Sequence, residues 1–219
     1  MNDQPPAAEP ENPGASAAAP LPAKSPRRRL LVLIGLTLFA LILVASAMAT
    51  IQIGTAKPGG KFNLIASDGR TVTDRTYRGK WELIYFGYSF CPDACPLSLN
   101  SITEALSVLG PEADRLQPIF ITIDPERDTP AILAQFVANF SPSIVALTGS
   151  AADIGAAEKA FGVYAARVNA EDGSKNYFMD HSSFFYLMDP GGRYVATLPV
   201  PADGTVLALR LKPYLAENP

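Results

Sequence analysis

Trp81-Glu82-Leu83-Ile84-Tyr85-Phe86-Gly87-Tyr88-Ser89-Phe90-Cys91-Pro92-Asp93-Ala94-Cys95-Pro96 is the stretch that decides the fold. Its first half, Trp81 to Tyr88, is a strongly apolar run of strand length, which predicts a buried strand. Pro96 suits the first turn of a helix, where a missing N–H costs nothing. Leu97, Ile102, Ala105, Leu106 and Leu109 then recur at roughly helical spacing until Gly110-Pro111 stops them. Cys91 and Cys95, the only two cysteines among 219 residues, therefore straddle a strand-to-helix turn.

The same alternation continues outward. Before the turn, Phe62 to Ala66 and Thr71 to Thr73 flank Ser67-Asp68-Gly69 and read as a hairpin, because Asp-Gly supplies the positive φ of a tight turn. After it, Pro118 to Ile123 is a second buried strand. Asp124-Pro125-Glu126-Arg127-Asp128-Thr129-Pro130 follows, in which Thr129 or Asp128 caps a helix that Pro130 starts and that runs through Phe140. Ile144 to Thr148 is a third strand. Ser150 with Asp153 resembles a capping box and opens an Ala-rich helix to Phe161. Val163 to Val168, a Glu171-Asp172-Gly173 turn and Tyr177 to Met179 read as a second hairpin. Ser183 to Met188 pairs with Tyr194 to Leu198 across Asp189-Pro190-Gly191-Gly192, and Val206 to Leu215 is a closing amphipathic helix. Strands alternating with helices predict an α/β domain with a mixed sheet and hairpins at its antiparallel edges.

Residues 1–29 form a Pro/Ala-rich tail without an aromatic, which cannot bury enough apolar surface to order itself and reads as disordered. Arg27, Arg28 and Arg29 precede Leu30 to Thr50, 21 uncharged residues whose helix would be about 31 Å long, the thickness of a hydrocarbon core. This predicts a transmembrane anchor over 30–53, a linker over 54–60 and one domain over 61–219. With the arginines and Lys24 before the span, the tail is expected in the cytoplasm and the domain in the periplasm, on a single-pass bacterial inner-membrane protein. Ala45-Ser46-Ala47 and Ala47-Met48-Ala49 also resemble signal-peptidase sites, the competing reading, although the tail is long for a signal peptide. Of 18 basic and 21 acidic residues, 14 and 18 lie beyond residue 53. With no basic aromatic-interleaved patch, nucleic acid is excluded as the expected partner.

The thiol pair reads as a redox couple, a soft-metal clamp, or both. A staple is the poorer reading, because closing a loop of about five residues stabilises by only about 2 kcal/mol, against about 4.7 for a 100-residue loop. A helix N-terminus lowers a thiol pKa and favours the thiolate, and both cysteines are placed for that. The three-residue spacer is one longer than that of Cys-x-x-Cys oxidoreductases and tilts the balance toward metal. The one histidine, His181, precedes the Ser183 to Met188 strand. Alone it would read as structural; with two thiols it completes a soft set that suits Cu(I), a catalytic zinc with two Cys and one His being the alternative. No phosphate cradle, carboxylate pair or Ser/His/Asp set is visible, so no catalytic residue is assigned.

Gly79-Lys80-Trp81, Phe86-Gly87-Tyr88 through Cys91-Pro92-Asp93-Ala94-Cys95-Pro96, Ile123 to Pro130, Leu147-Thr148-Gly149 and Asp180-His181-Ser182 together resemble the Sco (SenC/PrrC) family, in order and across the whole exported domain. The resemblance implies a thioredoxin-like fold with an extra N-terminal hairpin and an inserted hairpin, tethered by one helix. It also implies copper ligands at Cys91, Cys95 and His181. The implied role is a copper chaperone that loads or matures the CuA centre of cytochrome c oxidase subunit II, served by a copper donor protein or thiol reductant. A periplasmic thiol-disulfide oxidoreductase using the same Cys91–Cys95 pair as a redox disulfide is the second hypothesis. A peroxidase is disfavoured, because Ser89-Phe90-Cys91 lacks the partners a peroxidatic thiol needs.

Around these ligands, Asp180 is placed to orient the histidine ring. Asp124 and Asp128 follow the second parallel strand and either cap the next helix or shape the rim of the site, with capping favoured for Asp128. Asp93 opposes thiolate formation by charge. Met179 and Met188 read as core residues, whereas Tyr88, Phe90 and Phe178 either shield the site or form a docking face.

Overall fold

The computed structural model describes residues 26–53, 57–169 and 177–216. The expected tail up to residue 25, the linker residues 54–56 and the Glu171-Asp172-Gly173 turn lie outside the described residues. The chain divides into two compact units, one ending at Ala56 and the other beginning at Lys57. The first contains α1, Pro26–Ile53, a helix of 28 residues. Leu31, Phe39 and Leu41 on it are exposed, among apolar side chains on all sides. The described side chains from Leu30 to Ser46 cover 17 positions, about 26 Å of helix against a hydrocarbon core of about 30 Å. On the described residues alone, no helix is long and apolar enough to cross a membrane.

The second unit is built on β3, Trp81–Gly87, and β4, Leu116–Thr122. All seven residues of each are buried, as expected for strands covered on both faces. They pair in parallel from Trp81↔Leu116 to Gly87↔Thr122. With β1 (Asn63–Ala66), β2 (Thr71–Thr73), β5 (Val145–Thr148), β8 (Phe184–Met188) and β9 (Tyr194–Pro199) they form one mixed sheet in the order β2-β1-β5-β4-β3-β8-β9. The β1–β2 hairpin caps one edge by antiparallel pairing of β1 with β5, and β8–β9 closes the other. The inserted hairpin, β6 (Ala165–Asn169) with β7 (Tyr177–His181), is a separate two-stranded sheet.

Helix α2, Ala94–Leu109, buries Ile102, Ala105, Leu106 and Leu109 as the apolar spacing predicts, but the face is completed by Leu99, while Leu97, expected on it, is exposed. It starts two residues before Pro96, so Cys95 lies in its first turn while Cys91 stays in the loop. Helix α3, Pro130–Val137, is capped by Thr129, whose hydroxyl accepts from the Ile132 amide at 3.3 Å. It ends before Phe140, because the Asn139 side-chain amide donates to the Gln135 and Phe136 carbonyls at 3.2 and 3.1 Å, closing the last turn. In α4, Ala151–Phe161, the Ser150 hydroxyl accepts from the Asp153 amide at 3.1 Å, which is half of the expected capping box. The Asp153 carboxylate accepts from the Ser150 hydroxyl instead of reaching back to its amide. Helix α5, Gly204–Ala216, packs on α2 through Leu207, Ala208 and Leu211.

Candidate metal centre

Three chain segments converge beyond the carboxyl ends of the parallel strands: the β3–α2 turn with the cysteines, the β4–α3 loop, and the end of β7 with His181. Cys95 is wholly buried and Cys91 half-buried, and both thiols are free. The Cys95 amide donates to Cys91 Sγ at 3.4 Å. The Cys95 thiol donates to the Cys91 sulfur and, with the amides of Asp93, Cys95 and Ala94 at the helix start, pulls the Cys91 thiol down to about 5 against the opposing effect of burial. Cys95 moves the other way, far above the usual thiol range, because it supplies that shared proton and is buried. The expectation that both thiols are acidified holds for Cys91 and fails for Cys95: one helix N-terminus and one shared proton can stabilise only one of two adjacent anions.

His181 Nε2 lies 3.9 Å from Cys95 Sγ. Its Nδ1 lies 2.9 Å from the Ser182 carbonyl oxygen. A carbonyl only accepts, so Nδ1 carries a hydrogen, and Nε2 is the ring nitrogen that faces Cys95 Sγ. The donors are adjacent but not closed around a point. Among the described residues, no three His, Cys, Asp or Glu side chains already stand at metal-binding separation.

A family model described as SCO1/SenC matches residues 51–216. This chain belongs to the SCO1/SenC family. It is 45% identical over 139 residues to an SCO2-like protein of Rickettsia prowazekii, covering 64% of this chain and 68% of the relative. Among solved structures it resembles Bradyrhizobium japonicum ScoI with copper bound, at 42% identity and a TM-score of 0.66, over 72% of this chain and 99% of that one. It also resembles yeast Sco1 with copper bound, at 38% identity and a TM-score of 0.67, over 74% and 91% of the two chains. The thioredoxin-like α/β fold is thus that of the family.

Within this Sco domain the bonding of the carboxylates separates capping from shaping of the rim. Asp128 does not cap α3. It is fully buried and accepts from the Ser89 amide at 3.0 Å, from the Ser89 hydroxyl, and from the Thr122 hydroxyl at 2.6 Å, pinning the loop two residues before Cys91. Thr129, one residue nearer the helix, has the extended backbone a cap needs. Asp124 accepts from the Tyr177 hydroxyl at 2.8 Å and from the Arg127 guanidinium. Asp180 alternates to the face of β7 opposite His181, and the Ser182 carbonyl, not Asp180, fixes the ring. Asp93 makes no side-chain cap bond to α2.

Met188 pairs with Glu82 at the far end of β3, and Met179 is packed against the core. Tyr88 is buried with its ring edge-on to His181 at 6.1 Å, so it shields the site, while Phe90 and Phe178 are exposed. Several residues escaped the sequence reading. The buried Tyr85 hydroxyl donates to Cys95 Sγ at 3.8 Å and lies 3.3 Å from the Ser183 hydroxyl. A tyrosine in a strongly apolar strand was a usable signal, because a buried hydroxyl needs a partner. Gly87 is required by the sulfur itself: a Cβ there would stand 2.8 Å from Cys95 Sγ and 3.0 Å from Phe120. Ser89 and Thr122 gave no signal, since only the fold brings them to Asp128.

Proposed function

We propose that this chain is a copper-binding metallochaperone that takes one copper ion on Cys91, Cys95 and His181 and uses it to load or mature the CuA site of cytochrome c oxidase subunit II. The observation that carries the reading is His181 Nε2 held 3.9 Å from Cys95 Sγ, in a pair whose other thiol, Cys91, is pulled down to about 5. Two related proteins were solved with copper bound, and a third, BsSco, is described as a member of the Sco family of cytochrome c oxidase assembly proteins with a disulfide switch.

The donor set explains capture. Cys91 supplies an anion at neutral pH, His181 the Nε2 nitrogen, and Cys95 gives up the shared proton as it ligates, so copper binding by the thiol pair releases about one proton. Three soft donors favour Cu(I). Oxidation of both thiols to a disulfide gives up two electrons and two protons to an oxidant and removes two ligands, so copper binding requires the reduced pair. Anaerobic Cu(I) titration is expected to end at one equivalent, with affinity lost in Cys91→Ala and weakened in His181→Ala. An affinity indifferent to both substitutions refutes the assignment.

The half-buried, acidified Cys91 beside a fully buried partner also supports thiol-disulfide exchange, with Cys91 as the attacking sulfur and Cys95 as the resolving one. That reading is favoured if a mixed disulfide with an oxidised partner peptide forms on Cys91 at a rate unaffected by His181→Ala. The proposal further places α1 in the bacterial inner membrane with the domain in the periplasm, on the strength of Arg27–Arg29 and of a helix apolar on all sides. Release of the intact chain by a salt wash refutes the anchor.

A further inference from the structure

The two halves of the centre arrive on elements that share no ladder: the cysteines follow β3 in the large sheet, whereas His181 ends β7 in the separate hairpin. Arg127, in the β4–α3 loop, spans them. Its Nη1 donates to the carbonyl of Tyr177, the first residue of β7, at 3.1 Å, and its guanidinium lies 3.6 Å from the Tyr177 ring centroid. The same group lies 4.8 Å from the ring of Phe90, the neighbour of Cys91, and 5.7 Å from Tyr88, which packs against His181. Asp124 completes the bracket by accepting from Arg127 Nε and, at 2.8 Å, from the Tyr177 hydroxyl. Arg167 covers the Tyr177 ring at 3.4 Å as well. The arrangement needs a planar cation, with donors on its edge for Asp124 and the Tyr177 carbonyl and with faces for the rings. It is largely dry, the Arg127 side chain being 21% exposed and that of Asp124 4%.

We propose that Arg127 is a positioning residue: by clamping the start of β7 to the Cys91 loop, it holds His181 within reach of the thiols without touching any ligand. The inference rests on the copper reading above. It is tested by a double-mutant cycle on the full chain, with Cu(I) affinity measured anaerobically against a chromophoric chelator in wild type, Arg127→Ala, His181→Ala and the double variant. Arg127→Ala is expected to lower affinity about tenfold with His181 present and less than about twofold without it, the size of coupling seen between interacting side chains. Equal losses in both backgrounds, or no loss with His181 present, overturn the proposal. Arg127→Lys, which keeps the charge but not the planar fork, should show a smaller coupling of the same sign in the same cycle, and it answers the question if the alanine variant does not fold. In the copper-free protein, amide exchange should quicken across β6 and β7 but not in α2 of Arg127→Ala; unchanged exchange in the hairpin also overturns the proposal. A wild-type chain that binds no Cu(I) refutes the copper reading instead, and the exchange measurement then decides the bracket by itself.

Discussion

Alkylation of the two thiols against pH tests the asymmetry of the pair most directly. Cys91 is lowered from 9.0 to about 5, so at pH 7 it is about 99% thiolate, where an ordinary thiol of pKa 9 is about 1%. The rate at pH 7 is nevertheless a poor readout. A thiolate whose pKa falls by about four units loses roughly 40- to 100-fold in nucleophilicity at a Brønsted slope of about 0.4–0.5, which cancels most of the gain in thiolate fraction. The midpoint of the profile is the discriminating quantity. With iodoacetamide and peptide-resolved mass spectrometry between pH 3.5 and 9, Cys91 is expected to be modified first, with a midpoint near 5. In Cys95→Ala the largest cause of the shift is gone and the midpoint should rise. It should stay below 9.0, because the Asp93 and Ala94 amides still face the sulfur. A wild-type midpoint near 9, an unchanged midpoint in Cys95→Ala, or prior modification of Cys95 refutes the shared-proton description.

Asp128→Ala leaves three donors without their acceptor, the buried Thr122 hydroxyl and the amide and hydroxyl of half-buried Ser89, and should cost about 2 kcal/mol or more in urea unfolding, whereas Asp180→Ala, on the outer face of the hairpin, should stay within about 0.5 kcal/mol. Similar costs for the two would contradict the assigned roles. Gly87→Ala should destabilise by about 1–3 kcal/mol and weaken Cu(I) binding, since its methyl group would displace Cys95 Sγ; a variant melting and binding like wild type argues against that contact. Glu82 is buried at the opposite end of β3, and burial raises its carboxyl from 4.5 to about 7. Because the folded-state value is the higher one, the unfolded chain ionises first. Stability should fall by about 3 kcal/mol as pH rises through the window from 4.5 to about 7. Glu82→Gln should flatten that slope, and a slope that survives the substitution assigns it to another group.

The β3 strand, the cysteine turn and α2 were legible because their signals are local: an apolar run, a proline at a helix start, and apolar residues at helical spacing. The thiol pair with a single histidine likewise pointed to a soft-metal site before any geometry was known. The roles of the acids were not legible. Asp128 and Thr129 are adjacent and both are good caps, and only the β4–α3 turn, which aims one at Ile132 and the other at Ser89, decides between them. Asp180 and His181 are neighbours in sequence, yet strand alternation sends them to opposite faces. The sequence by itself determined the α/β class, the strand–thiol–helix unit and the chemical softness of the donors, since these depend on composition and short periodicities. The tertiary structure alone decided which thiol holds the proton, which oxygen fixes the histidine and what joins β7 to the cysteine loop. Those properties depend on distances of 3 to 4 Å between groups that the chain alone does not bring together, such as Arg127 and Tyr177, 50 positions apart, and Cys95 and His181, 86 apart.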